Sequence, residues 1–222
     1  MATGASDTYR LETFADGVFA IAITLLVIEI HLPEHDQIAQ LGGLWQALVQ
    51  LWPSYFGYVV SFIVIGIMWA NHHNLMKLVD RVDHGFITLN LLLLLCIAFL
   101  PFPTAVMAQS FDASDNAERV AIVFYGGTAV VIELLLRSAI RYAQARPELH
   151  MPGVVHGEPA VMAPTGPRGW REAFGTVVYG AGILIGIFVF PKASAAAYLL
   201  VALRGVLVAG NEGRLTLRLR SR

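Results

Sequence analysis

Two stretches without a single Asp, Glu, Lys or Arg, residues 37–74 and 85–111, constrain this chain more than any other feature. Each exceeds the roughly 20 apolar residues that a helix needs to cross a hydrocarbon core. Lipid offers no partner to an open backbone N–H or C=O, so such segments pair their backbone internally and form helices. Composition agrees: 56% of the residues are hydrophobic and 14% charged, against about 45–50% and about 25% in soluble domains. These values exclude a disordered chain and argue against a soluble enzyme. The 15 basic and 16 acidic residues leave a net charge of -1, so there is no general basic surface for nucleic acid. Cys96 is the only cysteine, which rules out an internal disulfide and a thiolate-based metal site.

Hydropathy and charge spacing predict an all-α, polytopic membrane protein with six transmembrane helices. The expected spans are residues 14–30, 45–70, 85–108, 120–136, 173–190 and 193–210. Pro191 and Lys192 separate the last two so briefly that they form a tight hairpin. Residues 144–169, rich in Pro and Gly, read as a cytoplasmic linker inside a single 1–222 six-helix transmembrane domain. The segment before the first span holds Asp7, Arg10 and Glu12, and the span itself holds Asp16 and Glu29. No small-residue cleavage pattern follows, so the segment reads as a retained helix rather than a signal peptide.

Loop charge sets the expected orientation. With the N-terminus cytoplasmic, Arg10, Lys77, Arg81, Arg141, Arg146, Arg168, Arg171 and the basic tail from Arg214 to Arg222 fall inside. Only Arg119 and Lys192 fall outside, among Glu34, Asp36, Asp112, Asp115 and Glu118. The asymmetry follows the positive-inside rule with both termini cytoplasmic. The basic tail reads as an orientation and headgroup signal. Trp45, Trp52, Trp69 and Trp170 fall near span ends, as an interfacial aromatic belt requires.

No phosphate-binding Gly-x-x-x-x-Gly-Lys loop, zincin His-Glu-x-x-His or hydrolase Gly-x-Ser-x-Gly is present. Asn71-His72-His73-Asn74 is the nearest thing to a metal cluster. Adjacent helical residues point about 100° apart, which favours hydrogen bonding at the interface over joint ligation. The first span is unusual in carrying ionisable residues at membrane depth, a default sign of function. Around its helix Phe14, Ile21 and Ile28 fall within about 20° of one line, flanked by Val18, Thr24 and Leu25, with Asp16 on the far side. By periodicity alone this face packs within the protein or against lipid, and the other side offers a carboxylate to neighbouring helices. Glu133 and Arg137, four apart, are expected to pair.

Arg10-Leu-Glu-Thr-Phe14-Ala-Asp16 resembles the Arg-x-x-x-Phe-Ser-Asp signature opening the first helix of the transmembrane protein 175 potassium channel family. Trp69-Ala-Asn71-His72 resembles the Trp-x-x-His of that family's second helix. Leu89-Asn90 with Phe99-Leu-Pro101-Phe102 resembles its third. The resemblance spans about ninety residues and fades beyond Pro103. Ala15 stands where the signature has Ser, so one hydroxyl is lost.

The resemblance implies a homotetramer of six-helix subunits in a prokaryotic plasma membrane, with the first helix of each subunit lining a cation pore. Ile21, five residues after the signature Asp, then forms the constriction, Thr24 the hydroxyl layer and Ile28 the next apolar layer, with Glu29 at the mouth. It also implies a shared positioning role for Arg10, Phe14, Asp16, Trp69, His72 and Asn90, in which the Asp16 carboxylate accepts from Arg10, His72 or Asn90. The expected partners are further copies of the chain, membrane lipid and permeating potassium, with no cofactor, no enzyme activity and no nucleic acid. A proton-coupled or proton-leak transporter using Asp16, Glu29 and His72, and a non-conducting membrane scaffold, stand as the other readings.

Overall fold

The structure is a computed structural model and describes residues 4–111 and 113–149. The expected spans 173–190 and 193–210, nearly all of the linker 144–169, Trp170 and the basic tail lie outside the described residues. Within them the chain is all-helical: α1 (Gly4–Ile28), α2 (His35–Gln40), α3 (Leu44–Gln50), α4 (Trp52–Met76), α5 (His84–Phe99), α6 (Pro101–Gln109) and α7 (Asp115–Gln144). A single 3-10 turn, Pro147–Leu149, follows. Four segments are long and apolar enough to cross a membrane: Asp7–Ile28, Trp52–Met76, His84–Gln109 and Asp115–Gln144.

The boundaries differ from the hydropathy reading for local reasons. α1 begins well before residue 14, because its polar first turns have partners: Thr8 Oγ1 donates to the Asp80 carbonyl at 2.8 Å, and Glu12 meets His73 at 3.1 Å. Helix α4 begins at Trp52 rather than 45. Gly42 and Gly43, both at positive φ, turn the chain into the short α3, and Pro53, which needs no N–H partner, opens a new helix. The third span is two helices, since Pro101 and Pro103 cannot donate to the Ile97 and Phe99 carbonyls. Helix α7 runs past both ends of 120–136. Ser114 caps it, Asp115 and Glu118 sit at the positive end of its dipole and Arg141 at the negative end. The Glu133–Arg137 pair is present, at 2.9 Å.

The four spans form an up-and-down bundle. The end at which α1 begins, called here the entry end, also holds the end of α4, the start of α5 and the end of α7. Helix α1 packs on α4, α5 and α6; α4 packs on α6; α7 packs on α5 and α6. Phe19, Leu26, Ile65, Leu75, Phe86, Leu93, Ile97 and Ile132 fill the centre. Helices α4 and α6 approach closely. A Cβ on Gly57 would lie 3.5 Å from Thr104 Cγ2 and 3.6 Å from Ala108 Cβ. Gly57 and Ser61, one turn apart, thus face Thr104 and Ala108, also one turn apart, in the small-residue packing that lets membrane helices touch.

At the entry end Asp83 caps α5 by accepting from the Phe86 N–H at 2.8 Å. Its carboxylate also accepts from Tyr142 Oη at 2.9 Å and is paired with Arg146, whose guanidinium lies 4.1 Å from the Tyr142 ring centre. Burial works to raise the Asp83 carboxyl, but the bonds from Phe86, Tyr142 and Arg146 and the Arg146 charge together hold it below the usual carboxylate range. The stabilisation this implies is complete above the unfolded value of about 4 and is lost as the pH falls through the lowered folded value. Asp83→Asn should therefore flatten the acid limb of a melting-temperature profile in detergent while leaving its shape near neutrality unchanged. An Ala at a helical Gly ordinarily adds about 1 kcal/mol. At Gly85 it should lower the melting temperature instead, because its Cβ would collide with Tyr142 Oη and push the ring off Asp83.

Candidate pore face and its supporting pairs

Helix α1 has two faces with different fates. Leu11, Ala15, Phe19, Ala22 and Leu26 follow a helical period and are buried against the neighbouring helices. On the other side Phe14 is 54% exposed, Ile21 60% and Ile28 63%, with Gly17, Thr24 and Leu25 exposed between them. Nothing among the described residues covers this stripe. Thr24 Oγ1 donates to the Ile21 carbonyl at 2.8 Å. Its proton is therefore used within the helix, and its oxygen lone pairs remain on the exposed side.

Behind the stripe, polar side chains meet in pairs. Trp69 Nε1 donates to Asp16 Oδ1 at 2.8 Å, and the Trp69 ring stacks on His73, with centroids 5.7 Å apart and planes at 12°. Asn90 Nδ2 donates to the Phe86 carbonyl at 2.8 Å, which turns Asn90 Oδ1 toward His72. His72 Nε2 then donates to Oδ1 at 2.7 Å, which assigns the ring proton to Nε2. Both residues are fully buried, and His72 Nδ1 is buried with no hydrogen-bond partner among the described residues. The Phe19 ring, on the buried face of α1, lies 5.5 Å from the His72 ring.

The expected network is thus two networks. Asp16 takes its hydrogen bond from Trp69, not from Arg10, His72 or Asn90, because His72 and Asn90 are already committed to each other about one turn nearer the entry end. Arg10 and Phe14 are exposed and stand outside both pairs. His72 and His73 point to different helices, His72 to α5 and His73 to Glu12 of α1, so they do not act as joint ligands. Among the described residues no three His, Cys, Asp or Glu come together as a metal site. Sequence reasoning missed Phe19, Glu12 and Thr8. Their only trace was the alternation of polar and apolar residues within one helix, which does not say what faces what.

At the opposite end Glu29 is half-buried just beyond α1, and His31 Nδ1 donates to its carbonyl at 2.8 Å. Both border an open cleft of about 560 Å³, together with Gln50, Ser54, Gln109 and Phe111. The end of α1, the start of α4 and the end of α6 therefore meet around one acidic side chain.

Four apolar spans, paired polar groups inside the bundle and an uncovered stripe on one span define a multi-pass helical membrane protein. The family model described as "Endosomal/lysosomal potassium channel TMEM175" matches residues 10–101. A protein of Streptomyces collinus named a potassium channel is 47% identical over 133 residues, which is 60% of this chain and 63% of that protein. The match therefore spans a little under two thirds of that relative's length. A Chryseobacterium protein of the same description is 31% identical over 194 residues, 87% of this chain and 90% of that protein. The crystal structure of a lysosomal potassium-selective channel TMEM175 homolog from Chamaesiphon minutus is similar at a TM-score of 0.76. It is 35% identical, with 91% of this chain and 97% of that chain covered. The chain belongs to the TMEM175 family.

The Trp69–Asp16 bond should be measurable as a coupling. In a double-mutant cycle of Trp69→Phe with Asp16→Ala, followed by thermal unfolding in detergent, a coupling of about 0.5–1.5 kcal/mol is expected. A coupling of zero would show that the bond does not help to hold α1.

Proposed function

We propose that this chain forms a potassium-permeable channel, a homotetramer in a plasma membrane with both termini cytoplasmic and the α1 stripe lining the pore. One observation carries the reading: among the described residues α1 buries one face and leaves Phe14, Ile21, Thr24 and Ile28 uncovered on the other. Copies arranged around an axis would cover that stripe and line a path with it. The potassium channels among its relatives supply the ion, and the charge asymmetry of the loops supplies the orientation.

The geometry suggests how such a path would work. Isoleucines converging at position 21 form an apolar neck that resists wetting, so a shut pore needs no charged gate. Ile28, two turns outward, adds a second apolar layer. Thr24 lies between them with lone pairs turned to the exposed side, and a ring of such oxygens partly replaces the water that a cation sheds. Potassium sheds that water at lower cost than sodium, which gives moderate selectivity without a carbonyl filter. Glu29 concentrates cations at the outer mouth. Asp16, paired with Trp69, positions the pore helix rather than touching the ion.

The test is potassium flux from proteoliposomes for the wild type and Ile21→Asn side by side. Flux without any need for a proton gradient is expected, rising about tenfold or more when Asn wets the neck, with weaker discrimination against sodium. Unchanged flux in the variant removes Ile21 from the path. Flux that depends strictly on a proton gradient points to a transporter, and no flux of any ion in either protein leaves a scaffold.

A further inference from the structure

Three hydroxyls that the pore reading does not use meet at the centre of the bundle. Ser61 on α4, Thr104 on α6 and Tyr125 on α7 are all buried. Ser61 Oγ lies 2.8 Å from Thr104 Oγ1 and 3.1 Å from Tyr125 Oη. Counting protons fixes the direction of every bond. Thr104 Oγ1 donates its single proton to the Leu100 carbonyl at 2.9 Å. Ser61 must then donate to Thr104, and Tyr125 must donate to Ser61. The result is a one-way chain from Tyr125 through Ser61 and Thr104 to the Leu100 carbonyl.

That end point is the joint between α5 and α6. Pro101 and Pro103 lack two of the backbone N–H groups that would span it, so the joint is less restrained than an unbroken helix. The hydroxyl chain supplies the missing restraint from two other helices. Helix α6 in turn packs on α1, and the ends of both border the cleft at Glu29. The side-chain ties from α1 to its neighbours, through Thr8, Glu12 and Asp16, all lie in its first half. The half that carries Ile21, Thr24 and Ile28 is braced by packing, and α6 is part of that brace.

We propose that Tyr125, Ser61 and Thr104 are positioning residues for the pore. By fixing the α5–α6 joint they set the angle of the outer half of α1, and with it the fraction of time the constriction is open. The inference rests on the pore reading and adds a regulating element to it. It gives these residues no contact with the ion, so they should alter opening and leave the open path unchanged.

Single-channel recording in planar bilayers tests this. Thr104→Val keeps the shape and loses the hydroxyl. It is expected to change open probability about threefold or more, with unitary conductance and potassium-to-sodium preference as in the wild type. Thr104→Ser, which restores the hydroxyl, should return open probability to the wild-type value, which a purely packing role would not do. Tyr125→Phe should shift open probability in the same direction by less, and it decides the matter if Thr104→Val does not fold. Wild-type open probability in folded Thr104→Val and Tyr125→Phe overturns the proposal, as does a change confined to unitary conductance. If neither the wild type nor Ile21→Asn conducts, the pore reading fails, and the brace is tested by spin-label distances. With labels at Val27→Cys and Ala113→Cys in a Cys96→Ala background, the distribution should broaden in Thr104→Val and narrow again in Thr104→Ser. Identical distributions overturn it.

Discussion

A helix in lipid can carry a polar side chain at depth only if something other than water takes it up, and this bundle is organised around that constraint. Asp16 takes the Trp69 indole, His72 takes Asn90, Glu133 takes Arg137, and the hydroxyls of Ser61, Thr104 and Tyr125 take one another. Each match joins residues whose partners are fixed by geometry. Asn90 is aimed by its own bond to the Phe86 carbonyl, and His72 is aimed by Asn90. These pairs settle which face of each helix turns inward. The apolar core then fills the space between them with Phe19, Leu26, Ile65 and Leu93.

The division of α1 into two faces follows from this. Asp16, Phe19 and Glu12 commit one side of the helix to α4 and the region around His72, so Ile21 and Ile28 have only the other side to occupy. The stripe left over in this way is apolar, and no described residue covers it. The polar ties behind it and the bare face in front are two results of one helical period.

Much of this was legible in the residues. The charge-free stretches mark the second and third spans, and the helical wheel alone places Phe14, Ile21 and Ile28 on one face. Breaks inside apolar segments were harder to read. Residues 45–51 and 100–101 are as hydrophobic as their surroundings, and only the Gly42-Gly43 turn and the prolines betray the boundaries. Partners across helices were harder still. That Asp16 would meet Trp69 and not Arg10 depends on the crossing of α1 and α4, which no one-dimensional pattern encodes. The Asp83–Tyr142–Arg146 latch joins residues nearly sixty or more positions apart. The small residues Gly57, Ser61, Thr104 and Ala108 carried a faint signal of close helix approach, readable only once the two helices were known to be neighbours.

The two ends of α1 are held very differently. Thr8 is tied to the Asp80 carbonyl at the entry end. At the other end residues 29–33 form no helix before Glu34 caps α2. Five residues can reach about 17 Å when extended, so the folded α2–α3 cap does not tether the tip of α1 tightly. A rod tied at one end by hydrogen bonds and held at the other by packing alone moves as a lever. The last of the ties is at Asp16; with a rise of 1.5 Å per residue, Ile21 lies about 8 Å and Ile28 about 18 Å beyond it, so a 5° swing displaces them by about 0.7 and about 1.6 Å. The larger movement falls on Ile28. In the proposed pore the outer isoleucine would therefore part first, and the inner one would be the last to let water through.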